Sequence, residues 1–313
     1  AEKLRKERGI EVDPADEVIV TAGGAEANWV TLMALVNPGD EVLIPSPYYP
    51  PFSTVVRLAG GVPVPVPFRE ELGFAWDPED VEKRVTKKTK ILFVNSPNNP
   101  TGGILDGDCI KALAEIVQEH DLIVVSDEVY EAFIYDAGKP QSIASIPGME
   151  ERTIVTNSFS KTYAMTGWRV GFAAGRSEFI SQMLKIHYAT TICASAIAQR
   201  AAITALTGPQ DCVREMTAEY VKRRRIIVDG LNKIPRFKCA MPKGAFYVFP
   251  NIKGFRRSSE DFAKFLVKEA RVVTVNGSAF GPDGEGHLRI SYATSTENIE
   301  AALERIKEAT ARL

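Results

Sequence analysis

Residues 90–126 read KILFVNSPNNPTGGILDGDCIKALAEIVQEHDLIVVS. Lys90 to Asn95 is an apolar run of strand length, Asp106 to His120 carries apolar residues at helical spacing, and Leu122 to Ser126 is a second run with nothing polar inside it. This is βαβ sequence. Uninterrupted apolar strands are expected where helices cover both faces of a largely parallel sheet, since neither face of such a strand meets water. The fold class it implies is α/β.

Upstream, Glu17 to Thr21 is strand-like and runs into Ala22-Gly23-Gly24, and helical sequence follows from Ala25 to Val36, stopping at Asn37-Pro38-Gly39-Asp40. Glu41 to Pro45 reads as a strand, Tyr49 to Ala59 as a helix and Val62 to Val66 as a strand. Asp77-Pro78-Glu79 opens another helix, with Asp at the cap and Pro at the first helical position. Downstream, Thr153 to Thr156 and Arg169 to Ala173 are expected to join the same sheet. Beyond Gly208-Pro209 the texture changes to a long charged helix, Gln210 to Lys233, strand-like Phe237 to Met241 and Ala245 to Phe249, and a helix from Ser259 to Ala270. Val272 to Val275 and His287 to Tyr292 read as strands, and a capping box from Thr294 to Glu297 starts the last helix. The expected organisation is a large α/β domain over residues 1–215 and a smaller C-terminal α+β domain over 216–313, with the boundary inside the long helix.

Composition removes whole classes of function. With 45% hydrophobic and 25% charged residues, the 313-residue chain is ordinary globular protein. Lys and Arg total 38 against 40 Asp and Glu, so the net charge of -2 supplies no field for nucleic acid or an anionic membrane. Lys222 to Arg225 is the nearest basic cluster and reads as the solvated face of a helix. No apolar run approaches about 18 residues, so no membrane-spanning helix is expected. Cys109, Cys193, Cys212 and Cys239 form no C-x-x-C pair, and His120, His187 and His287 are as dispersed, so neither a metal site nor a disulfide framework is expected. A reducing, cytoplasmic setting fits. There is no signal peptide, and the chain opens at Ala1 inside a helix-like stretch, as if upstream residues had been removed.

The chemistry is expected beyond the carboxyl ends of the strands, where ligands bind in open α/β sheets. Ser158-Phe159-Ser160-Lys161 places two hydroxyls and an amine just after one such strand, and Arg169 follows eight positions later. Asp127-Glu128-Val129-Tyr130 follows another. Each has a plain alternative, a polar loop with a surface lysine in the first case and a carboxylate capping a turn in the second. Asn98-Asn99-Pro100-Thr101-Gly102 is first of all a turn. Gly23-Gly24-Ala25 is either a tight loop or an anion cradle of backbone amides at the positive end of a helix.

Order and spacing decide between these readings. From Val20-Thr21-Ala22-Gly23-Gly24 through Asn37-Pro38-Gly39-Asp40, Asn95-Ser96-Pro97-Asn98-Asn99-Pro100-Thr101-Gly102, Ser126-Asp127-Glu128-Val129-Tyr130, Ser158-Phe159-Ser160-Lys161, Gly167-Trp168-Arg169, Lys243-Gly244-Ala245-Phe246-Tyr247 and Leu288-Arg289-Ile290-Ser291, the chain resembles the class I/II aminotransferases of pyridoxal-phosphate fold type I, the aspartate-aminotransferase-like family. The resemblance covers nearly the whole chain. It implies a large domain with a mostly parallel seven-stranded sheet between helices, and pyridoxal 5′-phosphate as cofactor. Lys161 is then the residue that forms the Schiff base and carries the proton between Cα and C4′. Asp127 pairs with the pyridine nitrogen, and Tyr130 and Asn99 hydrogen-bond the phenolic oxygen. Gly24, Ala25, Ser158 and Arg169 form the phosphate cup, Tyr49 stacks on the ring, and Arg289 grips the substrate carboxylate, with Asn99 and Tyr49 lining the same substrate site.

The activity implied is transfer of an amino group from an L-amino acid, aspartate favoured, to 2-oxoglutarate by a ping-pong mechanism, in a homodimer. Ala25 stands where some aspartate-type members have a lysine, and Tyr48-Tyr49-Pro50-Pro51 also occurs in relatives that use alanine or aromatic donors, so the donor stays open. A carbon-sulfur lyase built on the same Lys161 and Asp127 is the alternative reaction class. A non-catalytic effector domain of a transcription regulator is the third reading, but the chain has neither a helix-turn-helix nor a basic patch. Family members also carry an N-terminal segment that closes over the substrate and reaches the neighbouring subunit's phosphate; the expectation is that this sequence is a fragment or lacks that segment.

Overall fold

The structure, a computed structural model, describes residues 1–136 and 141–313. Among them, strands β1 (Val18–Thr21), β2 (Glu41–Ser46), β3 (Val62–Pro67), β4 (Thr89–Asn95), β5 (Ile123–Asp127), β6 (Thr153–Ser158) and β7 (Gly171–Ala174) form a seven-stranded sheet in the order β1-β7-β6-β5-β4-β2-β3. From β3 to β6 the pairings are parallel, whereas β7 runs antiparallel to both β6 and β1.

Burial explains the apolar runs. Leu92, Val94 and Val124 face one layer and pack with Ile110, Leu113 and Val117 of a flanking helix, while Ile91, Phe93 and Val125 face the opposite layer. Successive residues of a strand point to opposite faces, so a strand covered on both sides must be apolar throughout.

The helices on the two faces start where the sequence places caps. The chain begins with α1 (Glu2–Arg8); α2 (Gly24–Leu35) starts at the Gly23-Gly24 turn, and α3 (Pro51–Leu58) lies beside it. In α4 (Pro78–Glu82) the Asp77 side chain accepts from the Glu79 amide, and in α5 (Gly107–Glu119) Asp106 accepts from the Cys109 amide. One turn, α6 (Phe159–Thr162), carries Lys161, and α7 (Ser177–Thr190) packs against α2. Helix α8 (Ala196–Thr207) and the 22-residue α9 (Asp211–Asn232) lead to the C-terminal part.

There β8 (Tyr247–Val248), β9 (Val275–Asn276) and β10 (Leu288–Ser291) make a small antiparallel sheet in the order β8-β10-β9. Helix α10 (Ser259–Phe265) continues as a π-helical turn over Leu266–Ala270, and α11 (Thr296–Thr310) ends with its last turn at Thr310. Three expectations are corrected here. Phe237 to Met241 makes only the Lys238–Asn251 bridge, because the Asn232 side chain bonds both the amide and the carbonyl of Cys239 and takes the place of a neighbouring strand. Val272 to Val275 contributes to strand structure only at its last residue. The cap of α11 is Ser295, whose side chain accepts from the Asn298 amide, so the box begins one residue later than Thr294.

Lys222 to Arg225 is not wholly a solvated face either. Arg224 is 1% exposed, donates to the Pro242 carbonyl at 2.9 Å, pairs with Asp136 and lies over the Tyr135 ring.

Candidate active site

The sheet register brings the site together. β4 and β5 align Asn95 with Asp127, β5 and β6 align Asp127 with Thr156, and β6 and β7 align Ser158 with Gly171, so three polar strand ends lie side by side. They open onto a cleft of about 320 Å³. Of the residues singled out from the sequence, Lys161, Asp127, Tyr130 and Asn99 line this cleft, as do Gly24, Ala25, Ser158 and Arg169, with Tyr49 and Arg289 on the wall.

Asp127 is fully buried, and its neighbours are neutral donors. Asn28 Nδ2 donates to one carboxylate oxygen at 2.7 Å and the Val129 amide to the other at 3.2 Å, while Thr156 holds Asn28 by donating to its Oδ1 at 2.7 Å. Burial pushes the carboxyl up to about 6 against those hydrogen bonds. A carboxylate held this way favours a cationic partner.

Lys161 is half-buried, with its amine 5.9 Å from the Tyr130 ring centre and 5.6 Å from that of Phe246. Its pKa is lowered, first by desolvation and then by the charges of Arg289 and Arg169. An amine so placed is unprotonated over more of the neutral range, the form that acts as nucleophile and base.

At the other end of the cleft, Arg169 adopts a left-handed backbone, φ 51°, and donates to the carbonyls of Thr166 at 3.1 Å and Ala22 at 3.3 Å. Its guanidinium lies against Gly23, which has φ 90°; a Cβ there would come within 2.8 Å of Nη2. Gly24 is as confined, with Val129 and Ser158 at 3.0 and 3.2 Å from the position a Cβ would take. The N-terminus of α2, the Ser158 hydroxyl and the guanidinium thus converge, which suits a phosphate.

Arg289 donates to Asn99 Oδ1 at 2.9 Å and lies over the rings of Tyr247 and Phe280. The sequence reading did not single out Asn28, Phe52, Asn95, Ser160, Thr166 or Tyr247 as site residues, all of which line the cleft. Asn28 left a signal, a polar residue within the apolar run of α2, and Tyr247 lies in a quoted motif. Asn95 and Ser160 lie in quoted motifs too, whereas Phe52 and Thr166 fall outside all of them. His120, His187 and His287 pair with Glu82, Glu26 and Glu70 and lie outside the cleft, and no metal-ligating cluster occurs among the described residues.

Comparison with known proteins gives these residues a context. The profile of the family Aminotransferase class I and II matches residues 1–306. An aspartate aminotransferase of Pyrococcus abyssi is 47% identical over 312 residues, 98% of this chain and 79% of that protein. Aromatic-amino-acid aminotransferase 2 of Thermococcus litoralis is 45% identical, with 98% and 79% covered. The crystal structure of an aromatic aminotransferase from Pyrococcus horikoshii superposes with a TM-score of 0.98 at 46% identity, over 100% of this chain and 84% of that one.

Proposed function

Since the chain belongs to the class I and II aminotransferase family and is a transaminase, we propose that it moves the amino group of an L-amino acid, aspartate foremost, to 2-oxoglutarate from the cleft between Lys161, Asp127 and Arg289. The single observation that carries this reading is the convergence on one cavity of a lysine of lowered pKa, a buried carboxylate whose hydrogen-bond donors among the described residues are neutral, and the Arg289 guanidinium.

The family's cofactor is pyridoxal phosphate, and the residues fit it. The absence of a Cβ at Gly23 and Gly24 lets the Arg169 guanidinium and the Ser158 side chain come up against the N-terminus of α2, a donor set that suits a phosphate, and Asp127 offers a buried carboxylate to a ring cation. When bound, the cofactor supplies an electron sink that makes the substrate Cα–H acidic. The protein supplies the rest. Asp127, fixed by Asn28, keeps a positive partner beside it. Lys161 Nζ takes the proton from Cα and returns it, a step its lowered pKa favours. Arg289 holds the α-carboxylate in a planar two-point grip, and one such grip serves donor and acceptor in turn. Tyr49 would cover the ring face, while Tyr130 and Asn99 would supply hydrogen bonds to its phenolic oxygen.

Aspartate as donor is supported by relatives named aspartate aminotransferase. Aromatic donors are the second reading, favoured by the aromatic side chains of Tyr49, Phe52 and Tyr247 in the lining and by relatives named for aromatic substrates. We also propose that residues 1–215 and 216–313 are two domains, supported by their separate sheets. A homodimer is supported by large apolar side chains left exposed near and along α7 and α8, Trp168, Leu184, Tyr188, Ile192, Ile197 and Ile203. The four cysteines are unpaired, which supports a cytoplasmic setting. No helix among the described residues is long and apolar enough to cross a membrane.

The deciding experiment loads the purified protein with pyridoxal phosphate and adds single amino acids. Aspartate should discharge the cofactor's visible band and 2-oxoglutarate restore it, with oxaloacetate and glutamate as products. Discharge by phenylalanine but not aspartate would move the assignment to aromatic donors. Pyruvate and ammonia released from a cysteine derivative would move it to carbon-sulfur lysis.

A further inference from the structure

Tyr247 stands at the junction of two groups that already have roles. Its hydroxyl lies 2.9 Å from the Tyr130 hydroxyl, and its ring faces the Arg289 guanidinium at 4.6 Å. The Phe280 ring is a second aromatic face against that guanidinium, at 4.9 Å. The geometry has a simple origin. β8 and β10 are neighbours that pair Tyr247 with Ser291, and Arg289 lies two residues before Ser291 on the same sheet face. Tyr130 and Tyr247 are both buried, so water does not compete for the bond between them.

Resting on the reading of Tyr130 as the phenol that donates to the cofactor's ring oxygen, we propose that Tyr247 is a positioning residue with two separable functions. Its hydroxyl donates to Tyr130 and fixes where the Tyr130 proton points, and its ring holds the Arg289 guanidinium in the plane that meets a carboxylate. A phenol has one proton. If Tyr130 directs its proton into the cleft, its oxygen is left to accept from Tyr247, and the two hydroxyls acquire a single polarity. A hydroxyl that accepts one bond donates the next more strongly. Burial raises both phenols above their ordinary range, so both protons are in place at neutral pH. The two aromatic faces attract the guanidinium and confine it to turning in its own plane, with its edge toward the cleft.

Spectra and steady-state kinetics of the holoenzyme test both functions. Y247F keeps the ring and removes the hydroxyl. A weaker Tyr130 donor leaves more charge on the cofactor's ring oxygen, which holds the proton of the neighbouring nitrogen to higher pH. The pH midpoint of the visible band should therefore rise by about half to one unit, with KM for the amino acid and the 2-oxo acid changed by less than about twofold. Y247L should give the same rise and also lift both KM values about three- to tenfold. F280L, which removes the other aromatic face, should lift KM without moving the midpoint, and it carries the second half of the test if Y247L does not fold. A normal wild-type band with an unmoved midpoint in Y247F overturns the hydroxyl's function, and unmoved KM values in F280L and Y247L overturn the ring's. A wild-type protein that shows no visible band with the cofactor sinks the reading of the cleft itself, and this proposal with it.

Discussion

Lys161 and Asp127 are perturbed in the same direction by burial in the sense that each is pushed toward its neutral form, and the consequences can be measured separately. Lys161→Ala should leave the circular dichroism spectrum unchanged while abolishing the visible band and lowering transamination by about 10²- to 10⁴-fold. Asp127 carries a stability cost in the apo-protein. Burial raises its folded pKa to about 6, above the 3.8 of a solvated aspartate, so between about pH 4 and 6 the folded state keeps a proton that the unfolded chain releases. Stability falls across that window and stays low above it. Roughly two pH units correspond to about 3 kcal/mol. Asp127→Asn should therefore make the apo-protein more stable by about 1–3 kcal/mol at pH 8 and leave it unchanged near pH 4, read by urea denaturation. Equal midpoints at both pH values would refute the cost. The sequence exposed these two residues because strand ends and family spacing mark them. It marked Asn28 only as a polar residue in an apolar helix and hid its role, because its bond to Asp127 spans 99 positions and depends on α2 packing against β5 and β6.

Among the elements, α1 shows how a short helix is held. Lys3 reaches Glu131 at 2.9 Å and Arg8 reaches it at 2.7 Å, with Glu128 alongside Arg8, so α1 is clamped onto the segment that follows Asp127. Glu131 is buried, yet its carboxyl is held below the usual range because the two cations outweigh desolvation. Glu131→Gln leaves buried positive charge undercompensated and should cost about 3 kcal/mol, seen as a lower thermal midpoint with α1 amides exchanging faster. A midpoint within a degree of wild type would rule out the clamp. β4, α5 and β5 were legible because the strands are apolar runs and α5 has a helical apolar period with an Asp cap. Those that differed turn on single side-chain contacts rather than on a period. The strand read at Phe237 to Met241 is pre-empted by a side chain, and α7 and α8, with mixed faces, carry no clean period.

The molecule as a whole exposes more apolar surface on α7 and α8 than a lone subunit needs, Tyr188 at 69% and Ile197 at 76%. Light scattering should give twice the 34.3 kDa chain mass, and Ile197→Asp should shift it toward one chain mass. A wild-type monomer that still binds cofactor would end the dimer proposal. The long α9 joins the two sheets as one rod, and Arg224, buried against Pro242, Asp136 and Tyr135, pins it part-way along. One end lies beside Gln210, which accepts a hydrogen bond from Tyr163, two residues from Lys161; the other end holds Cys239 through Asn232. At 1.5 Å per residue the two arms measure about 21 and 12 Å. Beyond Arg224 the shorter arm is seated by Ile227, Val228 and Leu231 in the C-terminal core, while the longer arm has no fully buried residue. Arg224 thus marks where the helix passes from a lightly held half to a fastened one. Arg224→Met should speed amide exchange around position 224 and leave the already exposed first turns of α9 unchanged.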